Sequence, residues 1–229
     1  EPAPEPAPAN PAVAPALTVA GASHGGIVWA SGAPFEMCYT LPAASNPSFK
    51  ALVMYQGDST AGAYYETSLI GFGPNKAAPA AAQACVTGDI SMGVPPGKDY
   101  SIILEDKDWN VLAGPSLFKL AEAELWFDSV KDEGGSLALE VAWEVRAPEA
   151  AQPHDAIVIF NGGGEVVHWF YTACGCTSDP GEEAKASGRT TVHLSLAGAW
   201  SGYRARFYPS GHDTPVAIDW EWIDWSWFH

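Results

Sequence analysis

The sequence predicts an all-β protein: two tandem antiparallel β-sandwiches behind an extended, Pro-rich N-terminal arm. Three observations carry this prediction. The 229 residues include 23 Gly and 19 Pro, which supply many turns and leave room for few long helices. Apolar residues recur with period two in short runs. Val141, Trp143 and Val145 alternate with Ala142, Glu144 and Arg146, and Val192 and Leu194 alternate with Thr191, His193 and Ser195. This is the signature of half-buried strand. Finally, one succession of runs occurs twice at nearly constant offset. At 47% hydrophobic and 12% aromatic, the chain has ample material for a core.

The arm comes first. Residues 1–16 read EPAPEPAPANPAVAPA. Their prolines forbid helix and central strand, so the segment is expected to be polyproline-like and extended. The first sandwich is expected over 17–120. It contains Lys50-Ala-Leu-Val-Met-Tyr55, the turn Gln56-Gly57-Asp58, and Tyr64-Tyr65-Glu66-Thr67. The second is expected over 121–229. There Asp155-Ala-Ile-Val-Ile-Phe160 precedes Asn161-Gly162-Gly163-Gly164 and Trp169-Phe170-Tyr171-Thr172. Ala51 corresponds to Ala156, and Tyr100 to Tyr203, offsets of 105 and 103. Two anchors at similar offset argue for a repeat. The glycine run reads as a hairpin turn between strands. Short helix-like patches occur at 77–84 and 120–125, and the boundary falls near 119–123.

Each copy has about the length of an immunoglobulin-type domain. The second also carries Gly202-Tyr203-Arg-Ala-Arg-Phe207-Tyr208. With Asp155–Phe160 and Trp169–Thr172, it resembles the SKICH-type immunoglobulin-like β-sandwich. Ala156 and Val158 stand where that family tends to have Trp and Gly. The resemblance implies a binding or accessory module and carries over no catalytic residue.

Lys and Arg total 11 against 27 Asp and Glu, a net charge of −16. Such a chain repels phosphate backbones and anionic membranes, which argues against nucleic-acid partners. No apolar stretch is long enough for a membrane span. The chain begins at Glu1, which a removed secretory signal would explain, and the expected location is secreted or cell-surface. Four cysteines allow three pairings. The local pairing is Cys38 with Cys85 and Cys174 with Cys176, and four free thiols are the alternative. The second bridge would close a small, labile ring; a thiolate metal pair and a bond to another chain are its other readings.

Signatures of catalysis are missing. There is no Gly-x-Ser-x-Gly elbow, phosphate-binding Gly-Lys-Ser/Thr loop or His-Glu-x-x-His, so no catalytic or cofactor residue is assigned. Asp106, Asp108 and Asn110 have the spacing that opens a calcium loop. Val111 and Leu117 stand where that loop needs Gly and Glu, so an acidic hairpin turn is favoured over calcium. The six histidines show no ligand spacing.

The C-terminus is the most unusual stretch, with Trp220, Trp222, Trp225 and Trp227 interleaved with Asp219, Glu221 and Asp224. In a continuous strand Trp220 and Trp222 point to one face, and Trp225 and Trp227 to the other. Both sets cannot enter one core, so one is expected at a contact. The function expected is a non-enzymatic structural subunit of an extracellular assembly, joined to neighbours by the arm and the Trp-rich tail. The alternative is a carbohydrate-binding module stacking sugars on these tryptophans and Trp109.

Overall fold

The computed structural model describes residues 14–20, 26–30, 35–42, 50–62, 64–69, 81–88, 90, 94–195 and 202–221. They form fourteen strands and one 3-10 turn at Pro148–Ala150, with no α-helix among the described residues. The chain divides into two compact units. Unit 1 comprises 1–20, 36–88 and 101–116; unit 2 comprises 21–35, 89–100 and 117–229.

In unit 1, β1 (Ala16–Ala20) and β6 (Gln83–Gly88) flank β3 (Phe35–Thr40). Leu17 lies opposite Tyr39, and Val19 opposite Met37. The alternation in β3 buries Phe35, Met37 and Tyr39. A Cys38–Cys85 disulfide ties β3 to β6. The second layer runs β5 (Tyr64–Leu69), β4 (Ala51–Gln56), β7 (Asp99–Glu105) and then the first stretch of β8 (Val111–Asp132). Every residue from Ala51 to Tyr55 is buried, so β4 reads as a continuous apolar run, as expected of a strand covered on both faces.

In unit 2, one sheet runs β12 (Ser187–Ser195), β9 (Ser136–Arg146) and the rest of β8. β2 (Ile27–Trp29) pairs parallel to β8 at Lys119–Ala121. The other sheet runs β11 (Val166–Tyr171), β10 (Ala156–Asn161), β13 (Tyr203–Tyr208) and β14 (Ala217–Glu221), all antiparallel. Their facing sides form one core. Leu139, Val141, Trp143 and Val192 from the first sheet meet Ile157, Ile159, Phe170 and Phe207 from the second. The Trp143 and Phe170 rings lie 5.9 Å apart. Ile157, Phe170 and Phe207 are fully buried, each stabilising the fold by about 1.5–3 kcal/mol. The architecture is all-β and, apart from the short parallel pairing of β2 with β8, antiparallel, of the immunoglobulin-like sandwich type.

The helix-like patch at 120–125 is corrected: it is strand, inside β8. Ala121, Ala123 and Leu125 face the core while Glu122 and Glu124 face out, a period of two. Pairing with β9 outweighs the helix propensity of Ala, Glu and Leu. Of the patch at 77–84, Gln83 and Ala84 belong to β6, and 77–80 lie outside the described residues. The expected hairpin at Asn161–Gly164 does form. Gly164 N–H donates to the Asn161 carbonyl at 2.9 Å, and Gly164 takes a positive φ of 85°, which glycine adopts at no steric cost.

Candidate functional site

The outer face of the sheet β11-β10-β13-β14 is the most distinctive surface of unit 2. Residues directly opposite one another across antiparallel strands share a face. Val158 lies opposite both Trp169 and Arg206, and Arg206 opposite Ile218. This makes one transverse row: Trp169, Val158, Arg206, Ile218. The next row holds Phe160 and Arg204, with Trp220 opposite Arg204. On the other flank Ala156 stands between Tyr171 and Tyr208.

The alternate residues of these strands fill the core, which leaves this set outward. Trp169 is 37% exposed and Ile218 50%. Trp169 meets Tyr171 edge-on, with centroids 5.1 Å apart. The Arg206 guanidinium sits 4.8 Å from the Phe160 ring centroid, within cation–π range. The buried Arg206 Nε has no hydrogen-bond partner. Burial and the neighbouring Arg206 charge hold the Arg204 pKa below its ordinary value.

The other outer face, on β8-β9-β12, is built differently. Arg146 pairs with Glu122 and Glu124, and Arg189 with Asp128 and Glu140. His193 Nδ1 lies 3.1 Å from Glu133. On this face Arg146 and Arg189 pair with carboxylates, while in the register of the other sheet Phe160 and Trp220 stand opposite Arg204, and Val158 and Ile218 opposite Arg206.

A buried carboxylate supports the second sheet. Asp155 is fully buried. It accepts from Gln152 N–H at 2.8 Å and from Ser210 N–H at 2.7 Å, and its carbonyl accepts from Thr172 N–H at 2.9 Å. It thereby ties the start of β10 to the segments after β11 and β13.

The acidic turn is self-contained. Asp106 Oδ1 accepts from the Asp108 and Asn110 backbone N–H groups at 2.8 and 3.0 Å, and Asp106 Oδ2 from the Asn110 side-chain amide at 3.0 Å. The bonds from Asn110 hold the Asp106 carboxyl below its ordinary pKa. Lys107 Nζ lies 2.7 Å from Asp108. The donors that calcium would replace are already in place, which favours a hairpin turn. Trp109, at φ 63° and 62% exposed, crowns this turn.

Cys174 and Cys176 form a disulfide just after β11. Glu36, Cys38 and Cys85 cluster within ligand range of one another, but the two sulfurs are bonded together. Among the histidines, burial lowers the pKa of His168, and His154 packs edge-on against Tyr171 at 5.5 Å. Trp220 is placed by its register opposite Arg204. Trp222, Trp225 and Trp227 lie outside the described residues, as does most of the arm. Reading the sequence missed Trp169, Arg204, Arg206 and Ile218. The available signal was the alternation Tyr203-Arg-Ala-Arg-Phe207, whose arginines must share a face.

No family model and no curated protein matches the chain. Among solved structures it is similar to the human OSCAR ligand-binding domain, at 12% identity over 90% of this chain and 97% of that one, TM-score 0.28. It is also similar to a marsupial T cell receptor, at 7% identity over 90% and 71%, TM-score 0.38. A DUF3823 family protein from Bacteroides ovatus matches at 7% identity over 89% and 95%, TM-score 0.30. At such scores the likenesses carry no argument about what the chain binds.

Proposed function

We infer that the chain is a non-enzymatic binding and assembly subunit of an extracellular or cell-surface structure, making contact through the outer face of β11-β10-β13-β14. The observation that carries this reading is the row Trp169, Val158, Arg206, Ile218, an exposed aromatic and apolar stripe with a cation at its centre. Surfaces rich in aromatics and Arg are enriched at protein contacts. Two disulfides fit an oxidising compartment.

The tandem-copy reading has support from strand order. With β2 left aside, the described strands of unit 1 run β1-β3-β6 and β8-β7-β4-β5, and those of unit 2 run β8-β9-β12 and β14-β13-β10-β11. Counted within each unit, both are first-second-fifth against seventh-sixth-third-fourth, with boundaries proposed at 17–120 and 121–229.

The test is native mass by light scattering across a concentration series, for the parent chain, Trp169→Ala and Ile218→Asp. Both side chains are exposed, so the fold should survive, and the mass of the assembly should fall. An unchanged assembly with both variants would defeat the proposal. Glycan titration followed by tryptophan fluorescence tests the carbohydrate reading, which rests on Trp109 and the C-terminal tryptophans.

A further inference from the structure

We propose that the Cys174–Cys176 disulfide is an exchange site for low-molecular-weight thiols, in which Cys176 is the sulfur attacked and Cys174 the sulfur released as thiolate. The proposal stands on the turn after β11 alone and is independent of the assembly reading.

The bridge is poorly placed to act as a staple. It spans two positions, against 47 for Cys38–Cys85, and a bridge constrains the unfolded chain less as its loop shortens. The turn is held by other means. Tyr171 N–H donates to the Cys176 carbonyl at 2.9 Å, Gly175 N–H to the Tyr171 carbonyl at 2.8 Å, and Thr172 N–H to the Asp155 carbonyl at 2.9 Å. Thr172 and Ala173 are buried. Gly175 takes a positive φ of 66° and rests on Thr190 of β12, where a β-carbon would stand 2.5 Å from Oγ1. None of these contacts passes through sulfur. The backbone therefore keeps the two sulfurs side by side whether or not they are bonded. Opening the bridge leaves the turn in place, and reclosure is an intramolecular step between positioned groups.

The two sulfurs lie in opposite surroundings. The Cys176 backbone N–H donates to Cys174 Sγ at 3.2 Å. An N–H aimed at a sulfur favours its anionic form, and the sulfur that better carries the charge leaves faster. Cys176 Sγ stands 3.5 Å from the Ser178 carbonyl oxygen. A carbonyl accepts from a thiol S–H and disfavours a thiolate, so Cys176 is held as the neutral thiol once reduced. Cys174 is exposed and Cys176 half-buried. The thiolate thus departs into water, and the attacked sulfur suits a small thiol better than one carried on a folded chain.

The exchange balances in two steps. A thiolate attacks Cys176 Sγ; a bond forms between the two sulfurs as the Cys174–Cys176 bond breaks, and the electron pair leaves on Cys174. A second thiolate attacks the first one's sulfur, forming a small disulfide, and Cys176 leaves and takes a proton from water. Two small thiols are oxidised and the bridge gains their two electrons. The thiol comes from outside the chain, whose own cysteines are all bridged.

The experiment treats the full chain with glutathione near neutral pH, quenches with a maleimide, and maps the adducts by fragmentation mass spectrometry. Glutathione should be found on Cys176 and the maleimide on Cys174. The fully opened 174–176 turn should keep its circular dichroism spectrum and lower Tm by no more than about 2–4 °C. Two single variants check the asymmetry. The free Cys174 of Cys176→Ser should be alkylated with a midpoint about one pH unit below that of the free Cys176 of Cys174→Ser, with circular dichroism confirming the fold of each.

Glutathione on Cys174, or midpoints in the reverse order, overturns the roles assigned to the two sulfurs. A 174–176 bridge that persists with glutathione in the folded chain and opens only in urea overturns the exchange site, as does a turn whose opening unfolds the chain. The mapping uses the parent chain, so it decides the matter even where a variant misfolds.

Discussion

Gly188 offers the sharpest test of how the core of unit 2 is packed. It lies on β12 directly opposite Trp143 of β9. A β-carbon at this position would stand 2.5 Å from Cζ2 and 2.7 Å from Cη2 of the Trp143 indole. Carbon atoms prefer about 3.5–4.0 Å, so in Gly188→Ala the indole must retreat by about 1 Å. It has little room, being 3% exposed and packed against Phe170. Overpacking of this kind costs about 1–3 kcal/mol. The reduced freedom of the unfolded chain returns about 0.4–1 kcal/mol. The net expectation is a loss of about 1–2 kcal/mol, which lowers Tm by about 2–8 °C in a chain of this size. Urea unfolding followed by near-ultraviolet circular dichroism measures it. A double-mutant cycle with Trp143→Phe isolates the contact, because phenylalanine lacks the outer indole atoms that the new methyl meets. In that background the Gly188→Ala loss should shrink below about 0.5 kcal/mol. Equal losses in both backgrounds, or none in the parent, would refute the packing argument.

Three further outcomes follow from the structure. The Cys38–Cys85 bridge spans 47 positions and Cys174–Cys176 only two. Replacing the first pair with serine should cost about 4 kcal/mol and the second about 1 kcal/mol by loop-closure entropy. Urea midpoints that rank the two the other way would contradict this. Burial raises the pKa of Glu105, whose carboxylate accepts the Tyr55 hydroxyl at 3.2 Å. The folded chain thus holds this proton more tightly than the unfolded one, and stability from this group declines as pH rises from the ordinary glutamate value through the raised one. Glu105→Gln should flatten that decline, so its Tm advantage over the parent grows from pH 4 to pH 8; a constant difference would contradict the assignment. Asp155→Ala should cost about 3 kcal/mol, since it strands the Gln152 and Ser210 N–H groups that were bonded to a charged acceptor. A loss below about 1 kcal/mol on thermal unfolding would show that water replaces the carboxylate.

Much of this protein is written locally. The alternation in β9 and β12, the glycine hairpin at 161–164 and the turn at Asp106–Asn110 depend on residues a few positions apart, so their pattern is visible without a fold. The pairing of Cys38 with Cys85 was one of three possibilities and needed the adjacency of β3 and β6 to decide it. The stretch 120–125 misled because Ala, Glu and Leu favour helix in isolation, whereas their period of two suits the strand that β9 holds in place. Asp155 and Gly188 gave little signal, since a buried cap and a ring resting on a glycine are defined by partners distant in sequence.

The sequence by itself determined that the chain is β-rich, turn-rich and acidic, because composition and a two-residue period are properties of short windows. The tertiary structure decided the contact face. Trp169, Val158, Arg206 and Ile218 come from four strands, and they form a row because β10 pairs with both β11 and β13 in a particular register. A shift of one residue in any of those pairings would turn the affected strand's share of the row into the core. That register is fixed by which apolar side chains fit between the two sheets, a property of the whole packed unit rather than of any one segment.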